Sequence, residues 1–339
     1  HPDLPTLADV EARPPGQLRF HEVLPLGEPE QAPTLGEGAT PLVAAPRLPG
    51  EVLIKDEAQN PTGSFKARGM AVAMARAVEL GLTSFVVPSN GNAGGAAAAY
   101  GAIHGVDVVV FVPRATPEPL IREARAHGAT VELVEGTIAT AGQAAARQAE
   151  ENGSFNLATL REPYRVEGKK MMGYEVLWDL GHLPDVIVYP TGGGTGLVGL
   201  VRAFDELELL GWIGRERPRM VAVQVDVCAP IVKAFHEGAN RATAWPQAGE
   251  TSAFGLRVPA ALGDRLMLAG LRRTGGTAVA VTEAEMLEAT DRLASRAGIW
   301  GTPEGGACLA AAERLMRTGW IQDGETTVIF NTAAATKYG

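Results

Sequence analysis

The sequence predicts an α/β protein with two open, mostly parallel twisted sheets and helices on both faces. Three observations carry that prediction. Short apolar runs rich in Val and Ile alternate with amphipathic helical patterns, as expected of strands buried on both faces between crossover helices. The alternation begins near residue 82, pauses in a polar stretch at 153–170 and then resumes, which implies two α/β units. A chain of 339 residues is also long for one compact core.

Taken in order, residues 1–33 are proline-rich and mostly aperiodic, and read as an extended arm with at most one short helix near 17–24. Residues 35–42 carry Gly36, Gly38 and Pro41 and form a turn-rich entry. Val52-Leu53-Ile54-Lys55 is a short strand, followed by a helical pattern at 67–80. Strands are predicted at 84–87, 106–112 and 130–134, alternating with helices at 92–104, 118–127 and 139–152. Beyond the pause come a helix at 171–180, a strand at 186–189, a helix at 196–210 and a strand at 220–225. Residues 243–263 are irregular. A strand at 278–281, helices at 283–297 and 305–317 and a last strand at 327–331 complete the pattern. The expected division is an arm at 1–34, a large domain from 35–80 and 168–339, and a small α/β domain at 81–167. There is no internal repeat.

Composition is that of a globular protein, 46% hydrophobic and 20% charged. A net charge of -9 without basic runs argues against nucleic acid and against an anionic membrane surface. A small anionic substrate would therefore need a local positive pocket. No stretch supplies the roughly 20 uninterrupted apolar residues of a membrane span, and the start lacks the apolar core of a signal peptide. A chain starting at His1 reads as trimmed or tagged, with residues upstream. Cys228 and Cys308 lie far apart outside any CxxC pair, as buried thiols of a reducing cytoplasm would. No metal is expected.

Four segments carry chemistry. Asn60-Pro61-Thr62-Gly63-Ser64-Phe65-Lys66 places one lysine after a hydroxyl-bearing turn and at the start of a helix. Partial desolvation and the positive end of a helix dipole both favour the neutral, nucleophilic amine. Ser89-Asn90-Gly91-Asn92 follows a strand and opens a helix, so it is either an N-cap or a loop whose N–H groups bind a carboxylate. Thr191-Gly192-Gly193-Gly194-Thr195-Gly196 offers backbone donors at a helix start, a phosphate site by geometry and dipole. The same glycines satisfy GxGxxG over 194–199, with Asp226 after the next strand, so a dinucleotide-binding dehydrogenase stays open as an alternative. Asn331-Thr332 ends the last strand, at the edge where open sheets bind ligands. A tethered amine and a separate phosphate cradle together suit pyridoxal 5'-phosphate (PLP).

With Pro163-Tyr164-Arg165-Val166-Glu167-Gly168 added, the order of these motifs resembles the fold-type II PLP enzymes, the tryptophan-synthase-β-like superfamily, and most of all threonine synthases. The resemblance implies that Lys66 is the Schiff-base lysine and general base, and that Asn92 partners the cofactor's 3-hydroxyl. It makes Gly192, Gly193, Gly194, Thr195 and Gly196 the phosphate cup, sets Thr332 at the pyridine nitrogen and Glu304 near the ring. Ser64, Ser89, Asn90, Gly91 and Arg165 would bind substrate, with Arg165 on its phosphate. The implied reaction is elimination of phosphate from O-phosphohomoserine and hydration to L-threonine, in a homodimer. Three departures lie on the substrate side: Thr159-Leu160 where an Asn-Ser pair is usual, Asn90 for a small hydroxyl residue, and Thr332-Ala333-Ala334-Ala335 for a glycine-rich stretch. They keep open a related β-elimination (serine/threonine dehydratase or diamino acid ammonia-lyase) or β-replacement, and a catalytically silent PLP-binding protein.

Overall fold

A computed structural model describes residues 5–338. In chain order the elements are α1 (Leu7–Glu11), β1 (Leu42–Ala44), β2 (Glu51–Asp56), α2 (Lys66–Glu79), β3 (Ser84–Pro88), α3 (Asn92–His104), β4 (Asp107–Pro113), α4 (Glu118–Ala126), β5 (Thr130–Val134), α5 (Ile138–Asn152) and β6 (Phe155–Asn156). Then follow α6 (Tyr164–Leu180), β7 (Val186–Pro190), α7 (Thr195–Leu209), β8 (Arg219–Val225), α8 (Pro230–His236), α9 (Asp264–Arg273), β9 (Thr277–Val281), α10 (Glu283–Arg292), α11 (Pro303–Arg317) and β10 (Thr326–Asn331).

Two compact units result. One holds residues 5–39, 60–171 and 336–338; the other holds 40–59 and 172–335. The first is built on a four-stranded parallel sheet ordered β5-β4-β3-β6. The second has six strands ordered β1-β2-β10-β7-β8-β9, parallel except for the β1–β2 pair. The lysine loop and α2, placed by sequence in the 35–80 part of the large domain, pack with the four-stranded sheet.

In the first unit the core is Met70, Met74, Phe85, Val87, Val110 and Tyr100 with a run of alanines. Glycine and alanine let α3 lie close on its sheet: a Cβ on Gly101 would fall 2.4 Å from Val108 Cγ2. Gly105, left-handed at φ 66°, ends that helix. In the second unit Ile54, Val188, Val223, Ile329 and Leu309 form the centre.

The structure corrects several predicted elements. α1 and a 3-10 segment at Pro29–Gln31 lie in the arm, and β1 begins in the predicted turn-rich entry. α8 and α9 were unpredicted. The helix expected at 283–297 is α10 followed by a π turn, Leu293–Ala297, closed by Gly298 at φ 71°. The largest change is α6, which starts at Tyr164 rather than 171. Its first two turns hold Arg165, Glu167, Lys169 and Lys170, which read as solvated loop but are partnered and mostly buried. Pro163 precedes the helix, and the Glu162 carboxylate accepts the Arg165 N–H at 2.9 Å, which caps the helix early.

Candidate active site

In the first unit, the turn before α2 is closed by Gly63 N–H donating to Asn60 O at 2.7 Å, with Gly63 left-handed at φ 63°. This turn delivers Lys66 to the first position of α2. The Lys66 amine lies 3.8 Å from the centroid of the Phe65 ring. The Ser64 hydroxyl and the Thr62 hydroxyl are buried with no hydrogen-bond partner among the described residues.

The loop after β3 is organised by Ser89. Its hydroxyl accepts from Gly91 N–H at 2.9 Å and Gly94 N–H at 3.0 Å, and donates to Gly91 O. Ser89 therefore shapes the loop through the backbone. Gly91 has φ 147°, and a Cβ there would meet Leu120 Cδ1 at 2.4 Å, so only glycine fits. Asn90 sits in the bend between them. The Asn92 amide nitrogen meets Tyr338 Oη at 3.3 Å, while its amide oxygen is buried with no hydrogen-bond partner among the described residues. Arg165, at the start of α6, is 1% exposed; Nη1 donates to Leu157 O at 2.6 Å and Nε has no partner among the described residues. Burial lowers its pKa, with Glu162 opposing. Leu160 holds a left-handed φ of 58°.

In the second unit, β7 runs into the glycine loop. Thr191 is fixed through N–H to Val223 O at 2.8 Å and through its hydroxyl to Tyr189 O at 2.9 Å. Gly192 has no room for a side chain, since a Cβ would lie 2.0 Å from Gly255 O. Gly194, left-handed at φ 85°, is the N-cap of α7 and would clash with Met267 Sδ at 2.2 Å. A Cβ on Gly196 would reach 1.9 Å from Tyr189 Oη. Gly193 and Thr195 complete the run at the N-terminus of α7, the end of a helix that favours an anion. Glu304, in the first turn of α11, accepts Gly255 N–H at 2.8 Å and so steadies the residue packed on Gly192. At the end of β10, Asn331 donates to Asp56 at 2.7 Å and accepts from Thr302 N–H at 3.3 Å; Thr332 follows, buried. Ala333, Ala334 and Ala335 avoid positive φ, so these alanines are unstrained.

These features fit PLP: buried Thr62 and Ser64 hydroxyls in the turn before the lysine, and a glycine run at a helix start whose Gly192, Gly194 and Gly196 pack too tightly for any side chain. The family described as "Pyridoxal-phosphate dependent enzyme" matches residues 33–333. The chain belongs to this family. PLP is therefore its cofactor, and the dinucleotide reading of 194–199 is overturned. Asp226, its would-be ribose ligand, is exposed. A threonine synthase from Methanosarcina acetivorans is 35% identical over 327 residues, 94% of this chain and 79% of that protein. One from Methanocaldococcus jannaschii is 32% identical over 329 residues, 95% of this chain and 80% of that protein. Among solved structures, an L-serine ammonia-lyase from Rhizomucor miehei superposes with a TM-score of 0.76 at 22% identity, covering 88% of this chain and 94% of that one. Maize serine racemase gives 0.75 at 19%, covering 87% and 88%. These two share the fold.

Sequence reading missed Lys169, Tyr338 and Gly255. Lys169 was hidden because residues 153–170 read as a loop, so its place one helical turn beyond Arg165 emerges only with α6; Tyr338 and Gly255 reach their partners only through the tertiary fold. Among the described residues no helix is long and apolar enough to cross a membrane, and no cluster of His, Cys, Asp and Glu could hold a metal. Cys228 and Cys308 are buried free thiols, and burial raises both pKa values.

Proposed function

We propose that the chain is a threonine synthase, converting O-phosphohomoserine to L-threonine and phosphate. The observation that carries the reading is that threonine synthases match more than nine-tenths of the chain. Lys66 is the amine that would bind the cofactor aldehyde and the base that would move protons at Cα and Cβ of the substrate. Gly192, Gly193, Gly194, Thr195 and Gly196 hold the cofactor phosphate through backbone N–H groups. Asn92 bonds the 3-hydroxyl; its amide nitrogen and oxygen exchange places by a flip, so Tyr338 can occupy either end. Thr332 offers a neutral hydroxyl to the pyridine nitrogen. Ser64, Asn90 and Gly91 meet the substrate carboxylate, with Ser89 holding their loop. Arg165 meets the substrate phosphate. PLP, when bound, supplies the electron sink that makes those protons removable. We take the working form to be a cytoplasmic homodimer.

One observation favours the β-elimination alternative: Leu160, apolar, stands where a phosphate-binding serine is usual. The test is to load the protein with PLP and supply O-phosphohomoserine, serine and threonine in turn. Threonine and phosphate from the first is expected. A 2-oxo acid and ammonia from the others, with O-phosphohomoserine inert, would replace this function by the alternative. Lys66→Ala should lose turnover and the borohydride-reducible link together, and sedimentation velocity reads the subunit count.

A further inference from the structure

Residues 336–338 return to the lysine turn of the first unit. Lys337 Nζ donates to Thr62 O at 3.0 Å and to the carboxylate of Glu123 on α4. Glu123 in turn lies against the first turn of α3, where a Cβ on Gly95 would fall 2.5 Å from its Oε2. These contacts set Tyr338 beside Asn92, the first residue of α3, with the phenol oxygen 3.3 Å from the amide nitrogen. In that orientation the amide oxygen is buried with no hydrogen-bond partner among the described residues. A buried acceptor left without a donor is destabilising. The two ends of an amide have the same shape, so hydrogen bonding decides which faces where. Turning the amide over gives its oxygen the Tyr338 O–H as donor. The amide N–H groups then face the side where the oxygen had no partner.

We propose that Tyr338 is a positioning residue for Asn92: its hydroxyl donates to the amide oxygen and so turns the amide N–H toward the 3-hydroxyl oxygen of the cofactor. This rests on Asn92 being the partner of that hydroxyl. The direction matters chemically. An N–H donor favours the ionised form of the cofactor oxygen, whereas an amide oxygen facing it favours the protonated form. An asparagine alone can present either end. With N–H on Tyr338, the amide oxygen would face the cofactor and would need the 3-hydroxyl to keep its proton. With O–H from Tyr338, the amide is committed as a donor. Lys337, held by Thr62 and Glu123, keeps the phenol in place to make that choice.

The test loads the full chain with PLP and reads two quantities: the pH at which the absorbance of the bound cofactor titrates, and the PLP dissociation constant. Tyr338→Phe keeps the ring and removes the hydroxyl. It should move the titration to higher pH and weaken PLP binding about three- to tenfold, the effect of one hydrogen bond. Asn92→Ala should move the titration the same way. Adding Tyr338→Phe to Asn92→Ala should change neither quantity further, because the tyrosine acts through the amide. A Tyr338→Phe titration that coincides with wild type, or that moves to lower pH, overturns the proposal. Effects that add in the double variant also overturn it, since Tyr338 would then act by packing or by direct contact. Asn92→Ala separates the two readings. An unchanged titration there defeats the assignment of Asn92 and the proposal with it, whereas a shifted titration beside an unaltered Tyr338→Phe defeats only the role of Tyr338.

Discussion

Leu160 pays a backbone penalty that its side chain does not require. A branched residue in the left-handed region is disfavoured by about 1–2 kcal/mol, and asparagine is far better tolerated there. Leu160→Asn should therefore raise the melting temperature, by the equivalent of about 1 kcal/mol, with no change in cofactor affinity; calorimetry and a PLP titration measure the two separately. Gly192 behaves oppositely. Its missing Cβ leaves room for Gly255 O, and Gly192→Ala should weaken PLP binding at least tenfold in an absorbance titration while leaving α7 helical. The sequence made the glycine loop legible because backbone donors need no partner to be recognised. Leu160 was legible only as an odd residue, since φ is set by the fold. Glu304 was readable as a first-turn carboxylate, but its partner, the N–H of Gly255, lies 49 residues away.

At the level of elements, many strands and helices were readable within a residue or two, α3 and β5 among them, because short runs bounded by turn signals mark them whatever their burial. The opening of α6 was not, since its charges face other buried groups rather than water. Lys170 donates to Val23 O at 2.5 Å and pairs with Glu167, so a helix looked like a loop. The α2–α6 contact is the more demanding feature. Gly168→Ala would drive a Cβ into Arg68 O, and the helices must part, a change of about 1–3 kcal/mol or more. Chemical denaturation should show that loss together with slower link formation at Lys66. The C-terminal segment is a second such device. Lys337 bonds Thr62 O at 3.0 Å and the carboxylate of Glu123, tying residue 337 to the turn before Lys66. Lys337→Met should loosen that turn, seen as faster amide exchange at residues 62–66 and weaker PLP retention.

Across the whole molecule, two titrating groups pull stability in separate pH ranges. The Glu285 carboxylate caps α10. The backbone N–H of Thr282 is the main cause that lowers its pKa, partly opposed by burial, with Arg314 of α11 adding to it, from 4.5 to about 2. A depressed carboxylate contributes stability that is full above 4.5 and is lost as pH falls toward 2. Glu285→Gln should therefore flatten the acid limb and leave the alkaline limb alone. Lys169 works from the other side. Its folded pKa lies below its ordinary 10.5, so the unfolded chain binds the proton that the fold refuses. Stability must rise with pH from that depressed value up to 10.5, and below it the buried amine is a standing cost. Lys169→Met should remove this rise and melt at a higher temperature than wild type at pH 7. Melting curves across the pH range decide the matter. A variant less stable at neutral pH, with the alkaline rise intact, would mean that Lys169 is charged and satisfied in the fold.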